Sequence, residues 1–458
     1  MKFGNLFKKR LIFIFPLILS ACTTVNPATG SRDFTPFMSP AKERSLGREA
    51  HPGILEQNGG VYSDARVNQY VNDLGQRLVA SSELSDYPFT FTVLDTPLVN
   101  AFALPGGYVY VTRGIMSMVG SESALASVIG HEIGHVTARH SAKRYNNQMF
   151  TGLGAALFGA VTGSNGITNS INQGAQLYLM GYSRNQEYQS DELGIRYSSR
   201  AGYDPYASAD MLRSLDAEHK LQLVLAERAG EGEKSDFFST HPNTQDRVSR
   251  AFNAATKTQI AQSSRDRRQG LYFNILDGMM WGDDPKQGVI NGRDFIHPTM
   301  KLKFTAPEKY TLQNTSDTVL ARGTGEAEGS IVLFAGASKK DMTIKQYGEK
   351  VWQAYKIENT MEDIQDIQIN NMNATTGSTT MVINKQNYIV RLVAIEHSGE
   401  RAYHFLMLTP QSKFQALSEG LQRMSYSFNK ISQAEANNIK GRKIRIATAQ
   451  PGDTVESI

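Results

Sequence analysis

The chain has 458 residues, of which 40% are hydrophobic and 20% charged, the balance of a globular protein. Its length exceeds that of one ordinary domain, so two or three domains are expected. The formal net charge is only +4, and no basic tract interleaves aromatic residues, so nucleic acid is not an expected partner.

Residues 1–22 have the pattern of a signal peptide, with four basic residues ahead of an apolar run that is too short to span a bilayer. The run leads into Leu-Ser-Ala-Cys ending at Cys22, which resembles the lipobox of bacterial lipoproteins and predicts that Cys22 is lipidated. An ordinary signal peptide with an incidental cysteine is the alternative. Cys22 is the only cysteine, so no intramolecular disulfide is expected. Thr23 resembles the residue that follows the cysteine in outer-membrane lipoproteins, so we expect a membrane-anchored chain at the periplasmic face of that membrane.

Residues 23–40 are rich in Thr, Pro, Ser and Gly, which predicts a flexible tether between the anchor and the first domain. Helical spacing of apolar residues then predicts a short helix at 41–50 and a longer one at 63–84. His51 precedes a proline between them and is expected at the surface. The pattern becomes alternating and aromatic over 88–111, with a Pro-Gly-Gly turn, which predicts strands that include a hairpin.

The segment 121–144 is predicted to be a helix, because Ser121 is a suitable N-cap and apolar residues recur at three- and four-residue spacing. It contains His-Glu-Ile-Gly-His. His131 and His135 lie on one helix face and are placed to bind one metal ion, while Glu132 is offset towards a water on that metal. A pair of histidines that binds no metal is the alternative.

A catalytic zinc site usually has three side-chain ligands and an open position, so one more ligand is needed. His140 is five residues beyond His135 on the same predicted helix, a spacing that turns it away from the shared face. The metzincin pattern requires Gly and His where this chain has Ala138 and Ser141, which excludes that class.

Glu187 is a better third ligand, because 52 residues separate it from His135 and allow a second helix to return antiparallel to the first. Asp191, one turn further, is placed to accept the other ring N–H of a ligating histidine. The alternative is a solvated acidic face beside Glu192. Between the two helices, the Gly- and Ala-rich stretch at 149–163 is too short to cross a membrane. Residues 145–182 are expected to form a lid, with a membrane-touching loop as the alternative.

The C-terminal third contains no cluster of residues that carries chemistry. A domain boundary is expected near 265–285, followed over 286–430 by an α+β domain with several strands and two helices. Three scattered histidines there are taken as structural: His297, His397 and His404. Residues 431–458 form a tail whose end resembles the start of a LysM-like peptidoglycan-binding module, and independent glycan binding is not expected.

Three motifs, HEIGH at 131–135, SRNQEYQSDELG at 183–194 and STHPNTQDRV at 239–248, resemble those of the zinc metallopeptidases related to the CAAX prenyl proteases. The similarity extends to the periplasmic branch without membrane spans. It implies a mainly helical gluzincin-type domain with a small sheet at 41–265, followed by the smaller strand-rich α+β domain.

The resemblance also implies roles for individual residues. It makes His131, His135 and Glu187 the ligands of one zinc ion per chain, and Glu132 the general base. His241 and Arg247 are expected near the metal. His241 either steadies the oxyanion or occupies the fourth zinc position in a self-inhibited state. The segment made of Asn100, Ala101 and Phe102 is expected along the substrate cleft, where an edge strand can pair with an extended peptide. An ordinary core hairpin is the alternative.

These features predict an envelope-anchored zinc endopeptidase. The resemblance implies misfolded or unassembled envelope proteins as substrates and the outer-membrane assembly machinery as a partner. A chaperone or assembly factor with a silenced metal site is the second hypothesis. The presence of Glu132 favours catalysis, since a purely structural zinc site has no use for it.

Overall fold

The computed structural model describes residues 23–149, 181–229, 237, 241–242, 246–262, 264–315, 318–383 and 385–454. Cys22, with the predicted signal peptide, and most of the predicted lid lie outside the described residues. The expected mixture of a helical N-terminal part and a strand-rich C-terminal part is confirmed. Among the described helices, none is long and apolar enough to span a membrane.

The N-terminal part consists of a short hairpin, a three-stranded sheet and helices around it. Its strands are β1 (Thr23–Val25), β2 (Arg32–Phe34), β3 (Thr90–Leu94), β4 (Ala101–Leu104) and β5 (Tyr108–Thr112). Its helices are α1 (Pro40–Gln57), α2 (Ala65–Ala80), α3 (Arg113–Met118), α4 (Glu122–Thr137), α5 (described over residues 140–149), α6 (Arg184–Arg200), α7 (Ala207–Ala229), α8 (Arg247–Thr256) and α9 (Gln269–Leu276).

Helix α4 lies at the centre of this part. Its N-cap Ser121 accepts a hydrogen bond from the Ala124 N–H, and its side chains are apolar or small around most of the circumference. Helices α2, α6, α7 and α9 and strands β4 and β5 pack around it, so nearly every residue of α4 is buried. A helix covered on all sides fixes its histidines in one orientation.

The small sheet has the strand order β3-β5-β4, with β3 parallel and β4 antiparallel to β5. Gly106 and Gly107 connect β4 to β5 with φ of 88° and 86°, a conformation that glycine adopts without steric cost. A Cβ at Gly107 would lie 2.7 Å from the Pro88 carbonyl oxygen, so the turn also needs glycine for space. Strand β4 is an edge of this sheet.

The N-terminal residues differ from the expected flexible tether. Strands β1 and β2 pair as an antiparallel hairpin, and the buried side chain of Asn26 donates to Asp33 at 2.7 Å. The same Asn26 amide donates to the carbonyl of Ala138 at 2.9 Å. This contact with the end of α4 holds the N-terminal hairpin in place. Amino-acid composition alone does not reveal such a contact.

Helix α1 is longer than expected, because it continues through Pro52 to Gln57. His51 is therefore within a helix and half-buried, with Nδ1 2.6 Å from the hydroxyl oxygen of Tyr110, which corrects its expected surface position. Ile54 and Tyr110 share an apolar cluster under the sheet. Burial of that face stabilises the helix beyond the proline.

The C-terminal part is built on a seven-stranded antiparallel sheet, with strand order β10-β11-β12-β16-β15-β14-β13. Its strands are β10 (Tyr310–Asn314), β11 (Thr318–Gly323), β12 (Ile331–Ser338), β13 (Glu362–Ile369), β14 (Met372–Ile383), β15 (Gln386–Glu396) and β16 (Arg401–Pro410). A four-stranded sheet, in the order β17-β9-β8-β7, consists of β7 (Val289–Asn291), β8 (Asp294–His297), β9 (Leu302–Thr305) and β17 (Asn429–Lys430). A two-stranded sheet pairs β6 (Met280–Trp281) with β18 (Arg442–Lys443).

Helices cover both faces of the seven-stranded sheet. Helix α10 (Ile344–Ala354) lies on one face and helix α11 (Phe414–Tyr426) on the other. The other helical elements of this part are α12 (Gln433–Asn438) and two 3-10 helices, Gly325–Ala327 and Gln411–Lys413. The core of the N-terminal part includes residues from Tyr62 to Met279, and the core beneath α11 includes residues from Phe295 to Phe428.

Arg113 links the two parts. Its buried guanidinium lies 2.6 Å from Asp95 and donates to the carbonyl oxygens of Met280 and Gly282 at 2.9 and 3.1 Å. Strand β18 returns from the tail to pair with β6 at the same junction. The predicted LysM-like resemblance of the tail remains a prediction.

Candidate metal centre

Helices α4 and α6 approach closely because glycines face each other at their crossing. A Cβ added at Gly194 would lie 2.8 Å from the backbone nitrogen of His131, and one at Gly134 would lie 3.1 Å from the Ser190 carbonyl oxygen. This close contact carries Glu187, in the first turn of α6, to the two histidines of α4. Ser183 and Gln186 form a capping box that fixes where α6 begins.

Four potential ligands, His131, His135, Glu187 and His241, are buried and have ligand atoms within 4.8 Å of one another. The Nε2 atoms of the first two histidines are 3.0 Å apart. The Glu187 carboxylate lies 3.6 Å from Nε2 of His131 through Oε2, and 3.4 Å from Nε2 of His135 through Oε1. Four atoms bound tetrahedrally to zinc at about 2.0–2.1 Å lie about 3.3 Å apart. The residues therefore fit a zinc ion.

His241 lies at the fourth corner. Its Nδ1 is 3.2 Å from Oε1 of Glu187 and 3.4 Å from Nε2 of His131. Its Nε2 faces Oε1 of Glu132 at 3.5 Å. The side chain is fully buried, and its ring stacks on Phe237 at a centroid distance of 4.3 Å. This set supplies four protein ligands, whereas a catalytic site needs one open position.

Asp191 and Arg247 form hydrogen bonds and ion pairs with the ligands His131 and Glu187. Oδ1 of Asp191 is 2.9 Å from Nδ1 of His131, on the side of the ring away from the other ligands. Arg247 binds both oxygens of Asp191, at 2.8 and 2.9 Å, and its Nη1 lies 2.9 Å from Oε2 of Glu187. A bidentate guanidinium fixes both the position and the charge of the carboxylate. Asp191 thereby orients the His131 ring.

His140 requires a correction. The sequence predicts that it continues the histidine helix and points away, but α4 ends at Thr137 and Arg139 adopts a left-handed φ of 54°. The Arg139 guanidinium contacts Glu43 and donates to the Met38 carbonyl, which stabilises the break. His140 consequently folds back, and its Nδ1 lies 2.8 Å from Nδ1 of His135.

His140 is thus a partner of a metal-site histidine that sequence reasoning missed. Its Nε2 is 2.9 Å from Oε1 of Gln189 on α6, and burial lowers its pKa to about 4. A neutral His140 can accept or donate one hydrogen bond with His135 and so fix its tautomer. No glycine marks the helix end, so no local signal indicates this contact.

Electrostatics favour metal-binding protonation states at two positions. Burial lowers the pKa of His135 well below its usual range, which keeps the imidazole neutral. Burial alone would raise the pKa of Glu187, but the charge of His241 and hydrogen bonds from His135 and His241 lower it, so the carboxylate is ionised. Neutral histidine and ionised carboxylate are the forms that bind metal. For His131, burial lowers the pKa but the hydrogen bond to Asp191 and the adjacent carboxylates raise it overall, so metal binding must displace a proton there.

Glu132 points into the same buried space. Neither of its carboxylate oxygens has a hydrogen-bond partner among the described residues, and the side chain is completely buried. A buried carboxylate without a hydrogen bond is unfavourable, even with Nε2 of His241 at 3.5 Å, so this position is suited to a water molecule or another polar group. Burial raises the pKa of Glu132, which is the direction expected for a general base that works near neutral pH.

Aromatic rings cover the cluster. Tyr182 stacks on His135 at a centroid distance of 3.5 Å, and Arg144 lies over the other side of Tyr182 at 3.8 Å. Tyr182 and Phe237 were not singled out from the sequence, because nothing in the local pattern separates them from ordinary core aromatics. Both rings restrict water around the histidines in this arrangement.

The segment expected along the cleft lies beside α4. Asn100 precedes β4, while Ala101 and Phe102 begin it, and all three are buried. Pairing of β4 with Tyr108–Thr112 leaves its other edge without a neighbouring strand among the described residues. The Phe102 side chain packs under the sheet against Tyr110, at a centroid distance of 4.8 Å, so a peptide would meet the backbone here rather than this ring.

Comparisons with known proteins concern the part of the chain that holds these residues. Residues 65–255 match the model of peptidase family M48. The Beta-barrel assembly-enhancing protease of Escherichia coli (strain K12) is 28% identical over 290 residues, which are 58% of this chain and 58% of that protein. The protein of the same name from Yersinia pestis is 32% identical over 215 residues, 44% of this chain and 42% of that protein.

A third relative is mitochondrial. The Mitochondrial metalloendopeptidase OMA1 of Schizosaccharomyces pombe is 28% identical over 229 residues, 49% of this chain and 64% of that protein. The chain thus spans about half the length of the curated bacterial relatives that it matches. Residues 65–255, which match the family model, contain all four residues of the buried ligand cluster.

Proposed function

Because the chain carries a domain of peptidase family M48 at residues 65–255, homologous to the beta-barrel assembly-enhancing proteases, we propose that it is a zinc-dependent endopeptidase. The observation that carries this proposal is the buried cluster of His131, His135 and Glu187 at tetrahedral spacing, with Glu132 beside it. A third ligand contributed by a second helix supports the gluzincin-type arrangement as part of this proposal.

His131, His135 and Glu187 hold the zinc ion, and Asp191 and Arg247 keep the ligands oriented. The bound ion supplies Lewis acidity, which polarises the scissile carbonyl and lowers the pKa of water towards neutrality. Glu132 accepts a proton from the attacking water and then donates it to the leaving amine. The buried surroundings exclude bulk water and strengthen each of these electrostatic effects.

His241 serves as the fourth ligand of a resting state in this proposal. The 3.2 and 3.4 Å distances from its Nδ1 to Glu187 and His131 support that role over a role in steadying the oxyanion. Water and the substrate need the corner that His241 occupies, so catalysis requires this side chain to move.

The substrate is an extended polypeptide that pairs with the outer edge of β4 through main-chain hydrogen bonds, beside the segment made of Asn100, Ala101 and Phe102. We infer misfolded or unassembled proteins of the cell envelope as the substrate class. The name of the bacterial relatives, beta-barrel assembly-enhancing protease, supports the outer-membrane assembly machinery as a partner. Lipidation of Cys22 would hold the enzyme at the periplasmic face of the outer membrane.

The test compares the wild-type chain with Glu132→Gln, both produced from Thr23 onward, by zinc content and by cleavage of casein. We expect about one zinc per chain in both proteins and cleavage only in the wild type, because the substitution keeps the shape but removes the base. Glu192→Gln is the matched control, since Glu192 lies on the exposed face of α6 and should leave cleavage unchanged.

A chaperone or assembly factor with a latched metal site is the second candidate, favoured by the four-ligand geometry. It predicts zinc in both proteins and cleavage in neither. In that case His241→Ala separates the two: release of cleavage identifies a latched peptidase, whereas continued inactivity supports the binding protein. Absence of zinc from every variant would contradict the metal site itself.

A further inference from the structure

The C-terminal part contains a cavity that the peptidase mechanism does not use. It lies between helix α11 and one face of the seven-stranded sheet, and its volume is about 270 Å³. Strands β13, β14, β15 and β16 form its floor. None of its lining residues belongs to the M48 domain.

About half of the lining residues are apolar. Side chains from three strands and from α11 contribute aliphatic, thioether and aromatic surface: Ile367, Ile389, Val393, Met407, Phe414 and Leu421. This apolar part of the wall favours an apolar group over water.

Arg391 interrupts this wall. On β15, Arg391 lies two residues after Ile389 and two before Val393. All three side chains therefore project from the same face of the sheet, towards α11. The Nε atom of Arg391 is inaccessible to solvent and has no hydrogen-bond partner. The guanidinium lies 5.8 Å from the centroid of the Phe414 ring, and no carboxylate is among the lining residues of the cavity.

Within the guanidinium of the half-buried Arg391, only Nε is both inaccessible to solvent and without an acceptor, and a ligand in the cavity supplies one. The planar donors of the guanidinium match a carboxylate in a bidentate arrangement. Arg391 is the only cationic residue of the lining, so a singly charged carboxylate on an apolar body fits better than a phosphate.

The remaining lining residues and the size of the cavity further restrict which kind of ligand fits. Gln365, Thr409 and Gln422 place amide and hydroxyl groups around the apolar wall, where they can bond to main-chain N–H and C=O groups. An acyl chain offers no such groups. A volume of about 270 Å³ is below the range of roughly 300–1,000 Å³ that encloses a whole drug-sized ligand, but it accommodates one large amino-acid residue.

We propose that this cavity binds the C-terminal residue of a polypeptide. Arg391 binds the free α-carboxylate, and the apolar wall takes a large apolar terminal side chain. The binding itself is independent of the metal centre. Its use, which is to recruit substrates to the peptidase domain by their C-terminal ends, rests on the proposed endopeptidase function.

The experiment measures peptide binding to the chain from Thr23 onward carrying Glu132→Gln, so that the probe is not cleaved. The probe is fluorescein-labelled Gly-Ser-Gly-Ser-Val-Phe with a free carboxylate, followed by fluorescence anisotropy, and the comparison peptide ends in a carboxamide. We expect the carboxamide to bind about tenfold or more weakly, since it loses a charge-assisted hydrogen bond. Equal binding of the two peptides, or binding of neither, would overturn the proposal.

Variants then locate the site. Arg391→Gln should weaken the carboxylate peptide about tenfold or more and leave the carboxamide unaffected. Arg423→Gln, on the exposed side of helix α11, is the matched control and should change neither. Ser418→Phe keeps Arg391 but fills the cavity, so it should abolish binding of both peptides. Unchanged binding by Arg391→Gln and Ser418→Phe would contradict the assignment.

Decanoate distinguishes a peptide site from a fatty-acid site. Peptide binding that resists a large excess of decanoate supports the proposal, whereas displacement by decanoate at concentrations below those of the peptide would overturn it in favour of a fatty acid. Failure of the peptidase function appears separately, as absence of zinc or of casein cleavage in the wild-type chain, and leaves these binding results intact.

Discussion

The two parts of the molecule both have apolar cores but differ in the charged side chains that they bury beside them. The N-terminal part buries ionisable residues next to one another, among them His131, Glu132 and Arg247, each at most 2% exposed. The core beneath α11 is instead a cluster of aromatic rings such as Phe304, Phe334 and Phe405. Buried charges are unfavourable unless they are paired or bound to metal, whereas buried rings are stabilising in themselves. The N-terminal part therefore gives up stability at its cluster of buried charges, whereas the aromatic cluster beneath α11 is stabilising.

His135→Ala gives the largest expected effect, because it removes one zinc ligand. The substitution should affect the metal centre of the N-terminal part and leave the C-terminal part folded. We expect loss of stoichiometric zinc and of casein cleavage by at least about a thousandfold, since the water and the carbonyl lose their Lewis acid. Zinc content and cleavage rates measure this outcome. The near-ultraviolet circular dichroism of the C-terminal part should remain, and retention of zinc by the variant would contradict the ligand assignment.

Phe405→Ala tests the other side of the comparison. The ring is fully buried against Phe304, Phe334 and Phe428, so its removal should lower the free energy of unfolding of this part by about 3–5 kcal/mol. Urea unfolding followed by the fluorescence of Trp352, which is buried in α10, reports it. Zinc content at low urea should equal that of the wild type. Loss of zinc in this variant would show that the two parts do not fold separately.

Gly194→Ala tests the close helix crossing that builds the metal centre. The added Cβ would meet the backbone nitrogen of His131 at 2.8 Å, so α4 and α6 must separate, which should cost about 1–3 kcal/mol and weaken zinc binding. Gly270→Ala in α9 is the control, because nothing lies within 4 Å of its Cβ position. Chelator competition for zinc compares the two, and equal affinities would show that the crossing tolerates a methyl group.

The smallest expected effect comes from His404 and concerns how the free energy of unfolding of the C-terminal part depends on pH. Burial lowers its pKa to about 4, and its two ring nitrogens lie 2.9 Å from the hydroxyls of Tyr347 and Tyr355. The unfolded chain binds a proton near pH 6.5 and the folded chain only near pH 4, so stability falls as the pH drops through this window. The loss should be roughly 1–2 kcal/mol between pH 7 and pH 5. His404→Gln should reduce that difference in urea unfolding, and an unchanged slope would exclude His404 as its source.

Much of the local structure follows from sequence patterns alone. The Ser121 cap and the apolar spacing behind it place a helix around His131, and the same spacing puts His135 on its face. Alternating residues and the two glycines predict the hairpin of β4 and β5. These signals depend on neighbours within a few residues, so they are visible without a fold.

The sequence by itself therefore determined the order of the elements, the change from a helical to a strand-rich part, and a first set of candidate metal ligands. The tertiary structure alone decided how distant residues meet: the fold-back of His140 after a break stabilised by Glu43, the docking of Asn26 on the end of α4, and the position of Arg391 beneath α11. Each of these depends on contacts between segments that are far apart in sequence or on the packing of a helix over a sheet. Such contacts are set by burial and hydrogen bonding in the complete fold, and local residue patterns contain no record of them.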